Sequence, residues 1–442
     1  MPAGVAHGRT GRRGDRQSGR RNRYSRRVTT LQRRLGLGNA IVIGLASMIG
    51  AGVFYVWAPA ADAAGSGLLI GLLVAAIVAS LNALSSAQLA MAYPVSGGAY
   101  AFGRATVGPW TGFAAGWLFL AGKTASVGAI ALIAGSYLWP AQARVVAVVV
   151  VAVLAAVNMT GIRSTAAASA TIVFFVLGGI LVIVGAALVA PPASTQGSLV
   201  GTPIGTDPWG ILRSAGLLFF CFAGYARMAT LGEEVRNPRH TLPRAIIIAL
   251  AITLAIYATV GVLCVTLLGP TALARSAAPV AALVGGQEPW DTIIRIVAAI
   301  ACLGSLVGIL AGLSRTSLAM ARGGDLPADL GRVSPKTNAP IVAEATIAVV
   351  AILGILLLDP TALIGFSSCA VLCYYAIANL SALRQPKAER WLPRLVQQAG
   401  LVGCLLLAVT LPWQSIAGTA VVLAVGLAIR RLTHPRGAVS NS

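Results

Sequence analysis

Repeated runs of about 20 apolar residues dominate the sequence, each the length an α-helix needs to cross the hydrocarbon core of a bilayer. Of 442 residues only 10% are charged and 57% are hydrophobic, and a soluble fold needs far more charge to cover its surface. The runs are too long and too weakly alternating for the strands of an outer-membrane barrel. The expected fold class is therefore an all-α polytopic membrane protein. Twelve spans are expected, over residues 37–58, 67–92, 110–138, 144–160, 166–190, 209–231, 243–268, 292–320, 340–358, 361–383, 396–411 and 415–430.

Loop charge tests that count. Loops on one side carry Arg104, Arg163, Arg236, Arg239, Arg244, Arg322, Arg332, Lys336, Arg384, Lys387, Arg390 and Arg394, and Arg430, Arg431 and Arg436 follow the last span. The other side has few, among them Arg144, Arg275 and Arg295 near span ends. Basic residues alternate in phase with twelve spans, and the positive-inside rule then places both termini in the cytoplasm. The chain carries a net charge of +21. Much of it lies in the first 34 residues, where eleven arginines (Arg9, Arg12, Arg13, Arg16, Arg20, Arg21, Arg23, Arg26, Arg27, Arg33 and Arg34) face one acid, Asp15. A tail over 1–35 with so little apolar content is expected to be disordered. It reads as a topology signal rather than as a specific nucleic-acid or anionic-lipid site. Arg26-Arg27 ahead of an apolar stretch loosely mimics a secretion signal, but many more spans follow and no clear cleavage site does, so the first helix is expected to be retained.

Two spans depart from a plain helix. The first holds Ile49-Gly50-Ala51-Gly52-Val53-Phe54 at mid-depth, and the sixth holds Phe220-Cys221-Phe222-Ala223-Gly224-Tyr225. Glycine lowers the cost of leaving helical geometry. A broken helix inside a membrane survives only where it lines a cavity or is buried in protein. A matched pair of breaks five spans apart points to the binding site of an inverted-repeat transporter, with close helix packing as the plainer use of the same glycines. The organisation expected is a cytoplasmic tail (1–35), a first repeat of helices 1–5 (36–190), a second of helices 6–10 (209–384), helices 11 and 12 (395–431) and a short cytoplasmic tail (432–442).

Enzyme chemistry finds little support. The three histidines, His7, His240 and His434, fall outside the spans, and the sequence has no nucleotide-binding loop or zinc-ligand spacing. Cys221, Cys264, Cys302, Cys369, Cys373 and Cys404 all lie in apolar runs. Cys369 and Cys373 share a helix face, but no histidine or acid lies nearby in sequence to complete a metal site, so they read as core residues. No cofactor is expected.

The same motifs carry a resemblance. Ile49-Gly50-Ala51-Gly52-Val53-Phe54 resembles the first-helix signature of amino acid–polyamine–organocation permeases. Phe219-Phe220-Cys221-Phe222-Ala223-Gly224-Tyr225, followed by Glu233-Glu234-Val235-Arg236-Asn237-Pro238 and Pro243, resembles their sixth helix and the loop after it. Ser314-Arg315 through Met320-Ala321-Arg322-Gly323-Gly324-Asp325-Leu326-Pro327 resembles the end of their eighth helix, and Pro94-Val95-Ser96-Gly97-Gly98-Ala99-Tyr100 one of their cytoplasmic loops. The resemblance implies a LeuT-type fold, a 5+5 inverted repeat with discontinuous helices 1 and 6, and secondary active amino-acid transport across the cell (inner) membrane by alternating access. It implies that Gly50, Ala51 and Gly52 take the substrate carboxylate, on N–H groups at the start of a half-helix. Phe220, Cys221, Ala223 and Gly224 would line the amino-group and side-chain side, Phe220 acting either as an aromatic lid or as plain packing.

The sequence also departs from that pattern. Some proton-coupled relatives carry a lysine in the fifth helix; here the matching position falls near Val176 and span 5 has no lysine. An intramembrane lysine occurs instead at Lys123, in the third span. A buried ammonium at that depth should face a cavity or a partner. Lys123 is the candidate for proton coupling or for a substrate counter-charge, with pairing to helix-end carbonyls as the structural alternative. It puts a proton ahead of sodium as the coupling ion. Many relatives carry an acid just after the sixth-helix break, where this chain has Gly224-Tyr225-Ala226-Arg227. Losing that acid while keeping Lys123 favours neutral or acidic amino acids. Arg227, Glu233, Glu234 and Arg315 are gating candidates, or an interfacial charge network that fixes loop geometry. An amino acid/polyamine exchanger (antiporter) without ion coupling and a transporter-fold nutrient receptor remain as alternatives.

Overall fold

The computed structural model describes residues 35–93, 97–161, 166–189, 191–192, 207–225, 228, 235–337 and 339–433. Its helices run α1 (Leu37–Met48), α2 (Ala51–Tyr55), α3 (Trp57–Ala64), α4 (Leu68–Ala92), α5 (Ala99–Thr106), α6 (Pro109–Leu138), α7 (Ala143–Met159), α8 (Ala166–Val189) and α9 (Pro208–Phe222). They continue as α10 (Pro238–Leu263), α11 (Gly269–Ala274), α12 (Pro279–Ala282), α13 (Trp290–Arg322), α14 (Ile341–Leu357), α15 (Pro360–Arg384), α16 (Arg394–Thr410) and α17 (Trp413–Thr433). Among the described residues the one β contact is an isolated parallel bridge between Leu35 and Val235.

Nine helical stretches among the described residues are long and apolar enough to cross a membrane. Two further expected spans appear as apolar helices of 17 residues, α14 and α16. At about 1.5 Å per residue each covers about 26 Å, the short end of what a span requires. Within the expected span 209–231, α9 runs to Phe222 and then tightens into a 3-10 turn over Ala223–Tyr225.

The centre of the bundle is α6, which packs on α13 and α15. Its 30 residues give a length of about 45 Å, more than the hydrocarbon core, so it must tilt or project beyond it. Local chemistry sets its ends: Gly108 adopts φ +147°, Pro109 occupies the first turn where its missing N–H costs nothing, and the run stops before Pro140. At the periphery α7 presents Val145, Val149, Val153 and Val157 outward, one residue per turn. An exposed apolar stripe of that kind is what a lipid-facing helix displays. Burial is thus graded from α6 and α15 inside to α7 and α17 outside, a difference that composition alone does not show, since all four are apolar.

Candidate functional site

The first break falls where the glycines lie. Helix α1 stops at Met48, Ile49 takes φ −82° and ψ 88°, Gly50 takes φ −146° and ψ −146°, and α2 begins at Ala51. Val56 stays in the helical region, so α2 runs on into α3. Gly50 uses no left-handed geometry; its requirement is room. A Cβ there would collide with Ser305 Oγ on α13 and sit 2.9 Å from Ser305 Cβ. Gly50, Ala51 and Gly52 are all buried.

The second break packs against the first. A Cβ on Gly224 would run into the backbone carbonyl oxygen of Ser47 and lie 2.8 Å from Met48 N; one on Gly52 would lie 2.7 Å from Cys221 Sγ. Each break's glycine therefore clears space for the other helix. Cys221 and Ala223 are buried, while Phe220 and Gly224 are partly exposed. Phe220 packs against the main apolar core.

Breaking a helix frees carbonyls, and in an apolar interior each needs a donor. Tyr257 on α10 supplies one proton to two of them: its hydroxyl lies 2.6 Å from Met48 O and 3.2 Å from Cys221 O, at the two breaks respectively. Tyr137 on α6 donates to Phe54 O at 2.6 Å and accepts from Val280 N at 3.2 Å, so it fastens the outer half of the first broken helix to α12. Ala223 O accepts from two groups, Tyr375 OH at 3.2 Å and Lys123 Nζ at 3.3 Å.

Lys123 therefore reaches the sixth-helix break itself. It is the fifteenth residue of α6, about 21 Å along a helix of about 45 Å, and only 8% exposed. Among the described residues no carboxylate pairs with it. A buried ammonium whose hydrogen bond goes to a neutral carbonyl keeps two N–H donors for something else, in a setting where a charge is costly.

The gating candidates are only partly visible. Arg227, Glu233 and Glu234 lie outside the described residues. Arg315 is exposed on α13. The structure assembles instead a charge cluster that sequence reading left as separate loop residues. Asp325 is buried and receives Arg104 Nη1, Arg430 Nη2 at 2.9 Å and Tyr100 OH at 2.9 Å. Burial, and then Asp325, push the Tyr100 hydroxyl up to about 12, so it stays a donor at any working pH. Arg430 also stacks over Trp110 and Phe113, 4.9 Å from each ring centre. The cluster ties α5, the start of α6, the loop after α13 and the end of α17 together. A second unforeseen group is Glu344 on α14, 3% exposed, which accepts from Ser314. Spacing gave no sign of either, because the partners lie 30 to more than 200 residues apart. A cavity of about 530 Å³ lies away from both breaks, lined by Pro192, Leu268, Ala278, Gly285, Asp291 and Arg295 among others.

Comparison with known sequences follows the same lines. The profile of a family described as amino acid permease matches residues 35–429. An uncharacterized transporter of Mycobacterium tuberculosis (strain ATCC 25618 / H37Rv) is 51% identical over 419 residues, covering 93% of this chain and 94% of that one. The branched-chain amino acid permease BcaP of Bacillus subtilis (strain 168) is 28% identical, covering 90% of this chain and 92% of its own. A cationic amino acid transporter of Arabidopsis thaliana, named as mitochondrial, is also 28% identical, covering 80% of this chain and 62% of its own length.

Proposed function

The chain belongs to the amino acid permease family, and from that premise we propose that its two helix breaks hold an amino acid while it is carried across the cytoplasmic membrane by alternating access, with a proton as coupling ion. The protein is a membrane transporter and not an enzyme. In this reading twelve spans form two inverted repeats, over 36–190 and 209–384, and both termini are cytoplasmic. The N–H groups of Gly50, Ala51 and Gly52 take the substrate carboxylate at the start of the outer half-helix. Carbonyls freed around Phe220, Cys221, Ala223 and Gly224 take its ammonium. Arg227, Glu233, Glu234 and Arg315 belong to the cytoplasmic gate.

The observation that carries the reading is the bond from Lys123 Nζ to Ala223 O at 3.3 Å. One carbonyl at the substrate's own site is held by a group that can gain or lose a proton. Charged Lys123 competes with a substrate ammonium for that carbonyl and attracts a substrate carboxylate; neutral Lys123 does neither. Proton occupancy and substrate occupancy are thereby linked, and the linkage is reciprocal. A substrate with a cationic side chain would meet Lys123 as a like charge, which favours neutral or acidic substrates. The branched-chain permease among the relatives fits the neutral side of that preference, while the cationic transporter at equal identity marks the other possibility.

The test is transport by purified protein in liposomes, with labelled leucine, glutamate and lysine as representatives of the three charge classes. The expected result is saturable leucine uptake, accelerated by a pH gradient that is acid outside, so that protons run inward with leucine, and indifferent to sodium. Acceleration by the opposite pH gradient would reverse the direction of proton movement while keeping the coupling. Counterflow without any gradient dependence would make the protein an uncoupled exchanger, in which Lys123 is a fixed brace on the Ala223 carbonyl. Failure to move these or any other amino acid would overturn the reading.

A further inference from the structure

Below the sixth-helix break a line of polar side chains runs along α4 and α15, away from Lys123 and toward the loop that joins α15 to α16. It begins at Ala223 O, which Lys123 shares with Tyr375. Tyr375 stacks on Tyr225 with ring centres 4.8 Å apart, and the Tyr225 hydroxyl sits beside Asn82. Asn379, one turn beyond Tyr375, donates from Nδ2 to Asn82 Oδ1 at 2.7 Å. Ser85 follows Asn82 by three residues, and Gln88 follows Ser85 by three. Gln88 donates to Gln385 Oε1 at 2.7 Å, and its own Oε1 accepts from Trp391 N and Leu392 N at 3.2 and 2.8 Å. The line ends there, at a surface loop.

Every side chain on this line is buried: Asn82, Ser85, Gln88, Tyr225 and Asn379 are at most 1% exposed and Gln385 is 2% exposed. Buried amides between membrane helices usually serve as interhelical glue, each satisfying the other. Here the pairs satisfy only half of each other. Asn82 Nδ2, Asn379 Oδ1, Ser85 Oγ, Tyr225 OH and Gln385 Nε2 make no well-formed hydrogen bond, and these are five of the eleven such buried side-chain atoms among the described residues; of the five, only the Tyr225 hydroxyl and the Asn82 amide lie within reach of each other. Buried polar atoms with unmet hydrogen bonds are held by ordered water where donors and acceptors lie close enough to share one. Both kinds alternate along this line: amide N–H donors, an amide oxygen, and two hydroxyls that act as either.

We propose that this line is a hydrated half-channel that carries protons between Lys123 and the cytoplasm. The proposal rests on the reading of Lys123 given under Proposed function. The step balances without a co-reactant. An ammonium N–H bond of Lys123 breaks and its proton passes to a neighbouring oxygen. It hops along water and the hydroxyls of Tyr225 and Ser85, with the Asn82 amide ordering the water between them, to the loop at 385–392, leaving Lys123 as a neutral amine. Tyr375 shares the Ala223 carbonyl with Lys123 and Tyr225 stacks on Tyr375, and both are neutral phenols able to relay a proton. The route is separate from the outer half of the first broken helix, so substrate need not enter it.

Water access at Ser85 can be read without knowing the substrate. Full-length Ser85→Cys protein, purified in detergent, is treated with methanethiosulfonate ethylammonium and followed by intact mass. The near-isosteric change keeps the fold, which the elution profile checks. The expected result is labelling about tenfold faster than the parent, whose native cysteines are buried except for the partly exposed Cys373, since only a hydrated thiol ionises and reacts. Adding Asn379→Leu, which puts an apolar side chain across the line, should return the rate to the parent's. In liposomes Ser85→Leu should lose uptake driven by the pH gradient while keeping counterflow. Labelling of Ser85→Cys no faster than the parent overturns the half-channel whatever Lys123 does. Fast labelling together with gradient-driven uptake that survives Lys123→Ala overturns the proton route by removing its inner end, and places the fault in the reading of Lys123 rather than in the hydration of the line.

Discussion

The two helix breaks meet in space yet are built differently. At the first, Gly50 is closed by a side chain, Ser305, and the freed Met48 carbonyl is answered by a neutral hydroxyl, Tyr257. At the second, Gly224 is closed by backbone, the Ser47 carbonyl, and the freed Ala223 carbonyl is answered by a hydroxyl and an ammonium. Position alone makes the breaks equivalent; among the described residues only the second is held by an ammonium. A matched pair of breaks can thus divide the work, one shaping a site of fixed geometry and the other linking that site to proton occupancy.

The steric half of that comparison gives the largest effects. Of the glycine changes at the two breaks, Gly224→Ala should be more damaging than Gly50→Ala, because backbone cannot move aside for a methyl group. A loss of about 3 kcal/mol, the upper range for overpacking, should appear as a lower melting temperature with little folded protein recovered. Gly50→Ala should cost about 2 kcal/mol on the same scale, and Ser305→Gly should restore most of it. With Ser305 removed, the next neighbour of a Cβ at position 50 is Ala301 O at an ordinary 3.7 Å. No single side-chain change should rescue Gly224→Ala. Equal rescue at both sites would break the distinction between them.

The hydrogen-bonding half is smaller. Tyr257→Phe leaves two buried carbonyls short of a donor and should cost about 1–2 kcal/mol, measured as reduced thermal stability and a faster counterflow rate as both breaks loosen together. Tyr375→Phe should cost no more than about 1 kcal/mol, because Lys123 still answers Ala223 O. In a double-mutant cycle Tyr375→Phe and Lys123→Met should couple, since they share an acceptor, whereas Tyr375→Phe and Tyr257→Phe should be nearly additive. Additivity of the first pair would show that the 3.3 Å bond contributes little.

How much of this was legible in the sequence depends on the distance between the parts. Helix-forming runs and the places where they fail are local, so α1 ending at Met48 and the 3-10 turn at Ala223–Tyr225 fall where Gly50-Ala51-Gly52 and Ala223-Gly224 put them. The reason for those glycines was not local. Unusual backbone angles were the expectation; close approach of the second helix is what the structure reveals, and approach cannot be read from one segment. Lys123 was identifiable as an expensive residue, but its carbonyl lies 100 residues away. Tyr257, Tyr375 and the Asn82–Asn379 pair carry no signal in isolation, since tyrosines and amides in apolar runs are common and only their convergence gives them a role. The Asp325 cluster shows the same limit: Arg104 and Arg430 counted as topology signals and Asp325 as part of a loop motif, while the fold makes them one ion-pair site. Of the gating candidates only Arg315 falls within the described residues, so that part of the sequence reading stands as proposed.

The most direct test of the central claim is leucine uptake by liposomes containing wild-type or Lys123→Ala protein, with and without a pH gradient that is acid outside, alongside leucine counterflow at equal pH. The account predicts that the gradient accelerates wild-type uptake and that Lys123→Ala reduces this driven uptake by about 100-fold, about 3 kcal/mol, while counterflow persists. Driven uptake that is unchanged in Lys123→Ala would contradict it, leaving Lys123 as a structural brace on the sixth-helix break.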